Sequence, residues 1–117
     1  MKERIVVAKF GGTSVADAAQ FCKVRDIVLK DPERRYIVVS APGKRFPEDR
    51  KVTDLLLDCY GKAIAGDSFS EEMDQIRMRY QEIIEGLGLT FPLDDELSAL
   101  ERSGASPHRA RQLLSGV

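Results

Sequence analysis

Apolar residues fall along this chain in two kinds of run. Arg4 to Lys9 (Arg-Ile-Val-Val-Ala-Lys) and Tyr36 to Ala41 (Tyr-Ile-Val-Val-Ser-Ala) are short, unbroken and rich in β-branched residues. Such runs predict strands buried on both faces of a parallel sheet. Elsewhere the apolar positions return at helical spacing. A first helix is predicted from a cap at Thr13 or Ser14 to about Lys30, with Val15, Ala18, Phe21, Cys22, Val24, Val28 and Leu29 in a wide arc. Arg25 lies inside that arc and reads as a snorkelling side chain. Asp31-Pro32 stops the helix, because the residue before proline avoids the α region.

The second half of the chain is helical throughout. Val52 to Ala65 places Val52, Leu55, Leu56, Cys59, Tyr60 and Ala63 on one face. Thr53 and Asp54 stand at its polar start, where both residue types cap well. Gly66-Asp67 breaks the pattern, and Ser68 or Ser70 is expected to cap the next helix, with Glu71 and Glu72 in its first turn. Its apolar stripe is Met73, Ile76, Tyr80, Ile83 and Ile84, and Gly86 and Gly88 end it. A shorter helix is expected from about Leu93 to Ser103, with Leu93, Leu97 and Leu100 on one face. Ser106-Pro107 starts another, with serine as cap and proline as first residue; His108 in that turn reads as exposed and inert.

Strand, helix, strand makes a right-handed βαβ unit. Both strands then end at one edge of the sheet, so the stretch after Lys9 and the stretch after Ser40 open side by side. Ligands of open α/β sheets sit at that carboxyl edge. The loop Pro42 to Lys51 lies there too. It carries Lys44, Arg45, Arg50 and Lys51 against Glu48 and Asp49. Each of these reads as a solvated loop residue, while the loop's length and position favour a cover that attracts anions.

Composition narrows the classes. With 117 residues, 43% hydrophobic and 32% charged, the chain is one globular domain or part of one. A net charge of −1 argues against a general nucleic-acid binder. No stretch approaches the roughly 20 apolar residues of a membrane helix. The start Met1-Lys2-Glu3-Arg4 has no signal-peptide core behind it, so a cytoplasmic location is expected. Cys22 and Cys59 are read as small buried hydrophobes; with a single histidine they make no metal-ligand spacing.

The stretch Lys9-Phe10-Gly11-Gly12-Thr13-Ser14 carries the chemistry. It joins a strand to a helix through two glycines. The absence of Cβ atoms lets an anion approach the backbone, and free N–H groups at a helix start point at it. Lys9 adds a full positive charge. An ordinary tight turn with a capping Thr or Ser fits the Gly-Gly pair about as well. The P-loop spacing is absent.

The longer stretch Val-Ala-Lys-Phe-Gly-Gly-Thr-Ser-Val closely resembles the opening of aspartate kinases, members of the amino acid kinase family. Two further stretches resemble the family: Val38-Val39-Ser40-Ala41, like its second strand and substrate-side turn, and Val52-Thr53-Asp54-Leu55-Leu56, like the start of the helix whose threonine touches aspartate. The resemblance spans most of the first 60 residues. It implies a partial three-layer α/β/α amino acid kinase fold, with parallel strands and flanking helices. It implies ATP-dependent phosphorylation of the β-carboxylate of L-aspartate, the first step towards lysine, threonine and methionine, with magnesium entering on ATP. Lys9 would be the catalytic charge, and Lys9, Phe10, Gly11, Gly12, Thr13 and Ser14 the phosphate loop. Ser40, Ala41 and Thr53 would meet the substrate, and the parent would be a homo-oligomer. Another amino acid kinase, such as acetylglutamate or glutamate kinase, and a non-catalytic anion-binding or assembly piece are the alternatives.

Two departures stand out. Many relatives have a shorter link than Lys44–Lys51 before the Thr-Asp helix. The family's Ser-Arg-Gly-Glu region, its nucleotide-binding half and its regulatory domains are not in the sequence. Residues 1–117 are therefore expected to be the N-terminal part of the catalytic domain, inactive alone. Two strands leave both sheet edges unpaired, which favours association.

Overall fold

A computed structural model describes residues 4–104. The expected helix at Ser106-Pro107 and His108 lie outside the described residues. Strand β1 is Val6–Phe10 and strand β2 is Arg34–Val39, and they pair in parallel as a two-stranded sheet. Four helices follow the expected order: α1 (Ala18–Lys30), α2 (Val52–Ala65), α3 (Ser70–Gly86) and α4 (Leu93–Gly104).

The strands run slightly displaced from expectation. β1 extends through Phe10, and β2 starts two residues early, at Arg34, and ends at Val39. The register slips between Val6 and Val7, which face Arg34 and Tyr36.

The first helix starts later than expected. Thr13 and Ser14 do not cap it; they lie in a short 3-10 turn, Gly12–Val15, closed by the Ser14 N–H on the Gly11 carbonyl at 3.0 Å. The cap is Asp17, whose Oδ1 accepts from the Gln20 N–H at 2.9 Å. The sequence did carry that signal, since an acidic residue with glutamine three places on is a capping-box pattern. Asp31 ends α1, as expected.

The cap of α3 also differs. The capping position is Phe69, and Ser70 is already helical. Ser68 contributes only a 3.4 Å acceptor contact to the Ser70 N–H. Glu72 is instead drawn to Lys62 of α2, its Oε2 2.6 Å from Nζ, and that contact holds the Glu72 carboxyl below its ordinary pKa. The break between α2 and α3 falls on Gly66, whose φ of 77° is left-handed.

The core is helical. Leu55, Cys59, Met73, Ile76 and Leu97 form one cluster where α2, α3 and α4 meet, with Leu56, Phe69, Tyr80, Leu93 and Leu100 around it. Cys59 is buried as expected and Cys22 half-buried; both are free thiols. Burial, with help from Glu72, pushes the Cys59 thiol up to about 11.

The sheet departs most from expectation. Val7 is 63% exposed, Tyr36 61% and Val39 54%. These strands are apolar on both faces, but the described helices pack on one another and leave the sheet largely bare. α1 likewise buries none of its residues fully, and Leu29 is 74% exposed. Arg25 does not snorkel: it is exposed and pairs with Asp26 at 3.0 Å. No described helix is long and apolar enough to cross a membrane.

Candidate functional site

Both strands deliver their chains to the same edge. Phe10 pairs with Val39, and the ladder runs one bond further, from the Ser40 N–H to the Phe10 carbonyl at 3.0 Å. Beyond that bond the two chains turn and meet again. The Gly43 N–H donates to the Gly12 carbonyl at 2.8 Å, and the Val52 N–H donates to the Pro42 carbonyl at 3.0 Å. The turn after β1, the turn after β2 and the start of α2 are thereby tied to one another through backbone.

Glycine makes that contact possible. A Cβ on Gly43 would stand 2.6 Å from the Gly12 carbonyl carbon and 2.9 Å from the Thr13 nitrogen. A Cβ on Gly12 would lie 3.1 Å from the Ala41 oxygen. Two backbones pack here at a distance that leaves no room for side chains. Gly11 is different. Its φ is −73°, which any residue adopts, and a Cβ there would meet nothing within 4 Å. Nothing among the described residues requires glycine at position 11.

Between these turns lies a cleft of about 400 Å³. Gly12, Thr13, Ser40, Ala41 and Thr53 line it, together with Gly43, Lys44, Lys51 and Asp54. Five of the residues singled out in the sequence are thus brought to one place. Lys9, Phe10, Gly11 and Ser14 adjoin the cleft in sequence but do not form its wall. Lys9 is exposed and has no ion pair among the described residues. Thr53 does not cap α2: the capping position is Lys51, and no side chain closes that end. Its hydroxyl is available to the cleft.

Charge in the cleft comes from Lys44, Lys51 and Asp54. The other basic residues of the 42–51 loop are spent internally. Arg45 Nε lies 2.7 Å from Asp49 Oδ2 and Arg45 Nη1 2.9 Å from Glu82 of α3, and Arg50 pairs with Asp58 at 2.6 Å. Hydrogen bonds from Arg45 hold the Asp49 carboxyl well below the usual carboxylate range. The loop is braced by this network, and only its two lysines face the cleft.

One residue of the site was not singled out in the sequence. Arg79 of α3 is 4% exposed. Its Nη1 donates to the Arg50 carbonyl at 2.7 Å, and its Nη2 donates to the Gly43 carbonyl at 2.6 Å and the Ala16 carbonyl at 3.1 Å. Asp49 lies 3.5 Å away, and burial pushes the guanidinium below its ordinary pKa. The spacing held a clue: Arg79 sits three residues after Ile76 and four before Ile83, so it falls on the core-facing stripe.

No group of His, Cys, Asp or Glu able to hold a metal occurs among the described residues. The cleft's own chemistry suits a polyanion: backbone N–H groups at a turn, two lysines and hydroxyls. A magnesium ion fits it only as a passenger on phosphates, kept largely by them and by water.

No protein-family model matches the chain. Aspartokinase 3 of Bacillus subtilis is 42% identical over 88% of this chain, which spans 24% of that protein. Lysine-sensitive aspartokinase 3 of Escherichia coli is 36% identical over 82% of the chain and is spanned to 20%. Among solved structures, the Clostridium acetobutylicum aspartate kinase superposes with a TM-score of 0.85 at 39% identity, over 92% of this chain and 25% of that one. The E. coli aspartokinase III complex with aspartate and ADP superposes with a TM-score of 0.67 at 31% identity, over 96% of this chain and 26% of that one. The chain thus spans about a quarter of the length of the relatives it matches.

Proposed function

We propose, from the premise that this chain belongs to the aspartate kinases over the segment it spans, that it supplies one wall of an aspartate-phosphorylating active site. The observation that carries this is the cleft where Gly12, Thr13, Ser40, Ala41 and Thr53 converge beside two lysines. The E. coli relative solved with aspartate and ADP supports the substrate pair. In this reading the N–H groups of Gly11 and Gly12 hold phosphoryl oxygens. Lys9 offsets the charge that develops on them, and Ser40 and Thr53 orient the aspartate β-carboxylate. Bound ATP supplies the phosphoryl group, with its magnesium. Phe10, Thr13, Ser14 and Ala41 shape the turns that present these groups.

Residues 1–117 are then the N-terminal part of a catalytic domain whose nucleotide-binding half and regulatory domains lie elsewhere in the protein. The enzyme is cytoplasmic and works as a homo-oligomer. One wall holds phosphate but does not orient ATP against aspartate, so the proximity gain is lost. The test is ADP release by purified 1–117 with ATP, magnesium and aspartate, before and after the separately expressed remainder of the enzyme is added. Turnover only in the mixture is expected. Aspartate-dependent turnover by 1–117 alone, proportional to its concentration, would falsify the one-wall reading.

A further inference from the structure

Arg79 stands behind the cleft wall and in none of its lining. Its guanidinium gathers carbonyls from three places that are far apart in sequence: Ala16, after the first turn, and Gly43 and Arg50, at the two ends of the 43–50 loop. Gly43 is the residue that bonds Gly12 at 2.8 Å, and Arg50 lies two residues before α2 and three before Thr53. A single planar donor group therefore fixes the first turn, the second turn and the approach to α2. Five donors in a rigid fork allow this, and a lysine has no such reach. Asp49, itself held by Arg45, lies 3.5 Å from the same guanidinium and offsets its charge.

We propose that Arg79 is the positioning residue of this cleft: by binding the carbonyls of Ala16, Gly43 and Arg50 it sets the spacing between the phosphate-side turn and the substrate-side turn. This rests on the cleft being the phosphoryl-transfer site. Arg79 touches neither phosphate nor aspartate. It acts through Gly43 and Gly12, and through the placement of Lys51 and Thr53. Without it the 43–50 loop loses its side-chain anchor at both ends, and the separation of the two turns rests on the Gly43–Gly12 and Val52–Pro42 backbone bonds and the surface pairs of Arg45 and Arg50 alone.

The test uses the complete enzyme with three variants: Arg79→Met, Arg79→Lys and Ile83→Val, the last a core change on the same helix that sets the effect of stability alone. In Arg79→Met, kcat should fall about 10–100-fold, as for loss of reactant alignment, with the KM for aspartate changing much less. Arg79→Lys should recover part of that loss, and Ile83→Val should leave kcat unaltered at a temperature where all three are folded. If Arg79→Met does not fold, Arg79→Lys is compared directly with wild type and should show a smaller fall in kcat. Amide exchange at Gly43 is measured alongside, and should quicken in the Arg79 variants while the Cys59 amide in α2 stays protected. An Arg79 variant that matches Ile83→Val in kcat and wild type in Gly43 exchange overturns the proposal. If the wild-type enzyme shows no aspartate-dependent turnover, the phosphoryl-transfer reading falls instead. Gly43 exchange then decides whether Arg79 positions the turns.

Discussion

At the scale of single residues, the two glycines after β1 do different work. Gly12 packs closely in the fold: a Cβ there would stand 3.1 Å from the Ala41 oxygen and the Gly43 Cα, so those neighbours would have to give. Gly11 meets nothing within 4 Å among the described residues and has an ordinary φ, so none of them calls for its missing side chain. Gly11 and Gly43 should separate by experiment. Gly43→Ala must displace backbone atoms 2.6 Å from the new methyl and should cost about 1–3 kcal/mol, as overpacking does. Gly11→Ala should leave stability unchanged or raise it by about 0.4–1 kcal/mol, by restricting the unfolded chain, yet weaken binding of pyrophosphate. Urea unfolding and calorimetric titration read the two effects. Equal stability losses at both positions would mean that Gly11 serves the fold as Gly43 does.

Among the elements, the 42–51 loop also changed between sequence and structure. Its basic residues suggested a mobile cover attracting anions. In the fold, Arg45 and Arg50 are committed to Asp49, Glu82 and Asp58, and the loop is closed at its base by Arg79. The network has a pH signature. The Asp49 carboxyl is held below its ordinary value of 3.8, so the folded state binds fewer protons than the unfolded one. Its stabilisation is complete above about pH 5 and is lost as pH falls through and below the ordinary carboxylate range. Wild type should therefore exceed Asp49→Asn in urea midpoint near neutrality, and the gap should narrow steadily on acidification. A gap independent of pH would place the effect in packing rather than in the ion pair.

At the scale of the molecule, the described chain has a core of helices and a sheet with little cover. β-branched side chains that would suit a buried strand are exposed on β1 and β2, and Ile27 and Leu29 of α1 are exposed as well. An unpaired, apolar two-stranded sheet is a template for further strands. Purified 1–117 should therefore gain mass with concentration in analytical ultracentrifugation, and Val38→Lys, on β2, should shift it towards monomer. A chain that stays monomeric at every concentration would show that the two strands tolerate exposure.

The order of strand, helix, strand and three helices was written locally, because hydrophobic period and the breakers Asp31-Pro32 and Gly66-Asp67 act over a few residues. The bounds of α2 could be read to the residue for that reason. The pairing of the two strands in parallel followed from the helix that connects them, and with it the common edge where Gly12, Ser40 and Thr53 meet. The start of α1 at Asp17 was also local, in the Asp17-x-x-Gln20 pattern. Two things depended on contacts between distant segments. The loop's arginines found partners on other elements, Arg45 with Glu82 of α3 and Arg50 with Asp58 of α2, which spacing along the chain does not reveal. Arg79 was not singled out in the sequence, because its role depends on packing that brings Ala16, Gly43 and Arg50 within reach of one guanidinium. A sequence fixes which backbone carbonyls exist, but only the folded chain brings three of them around a single buried donor.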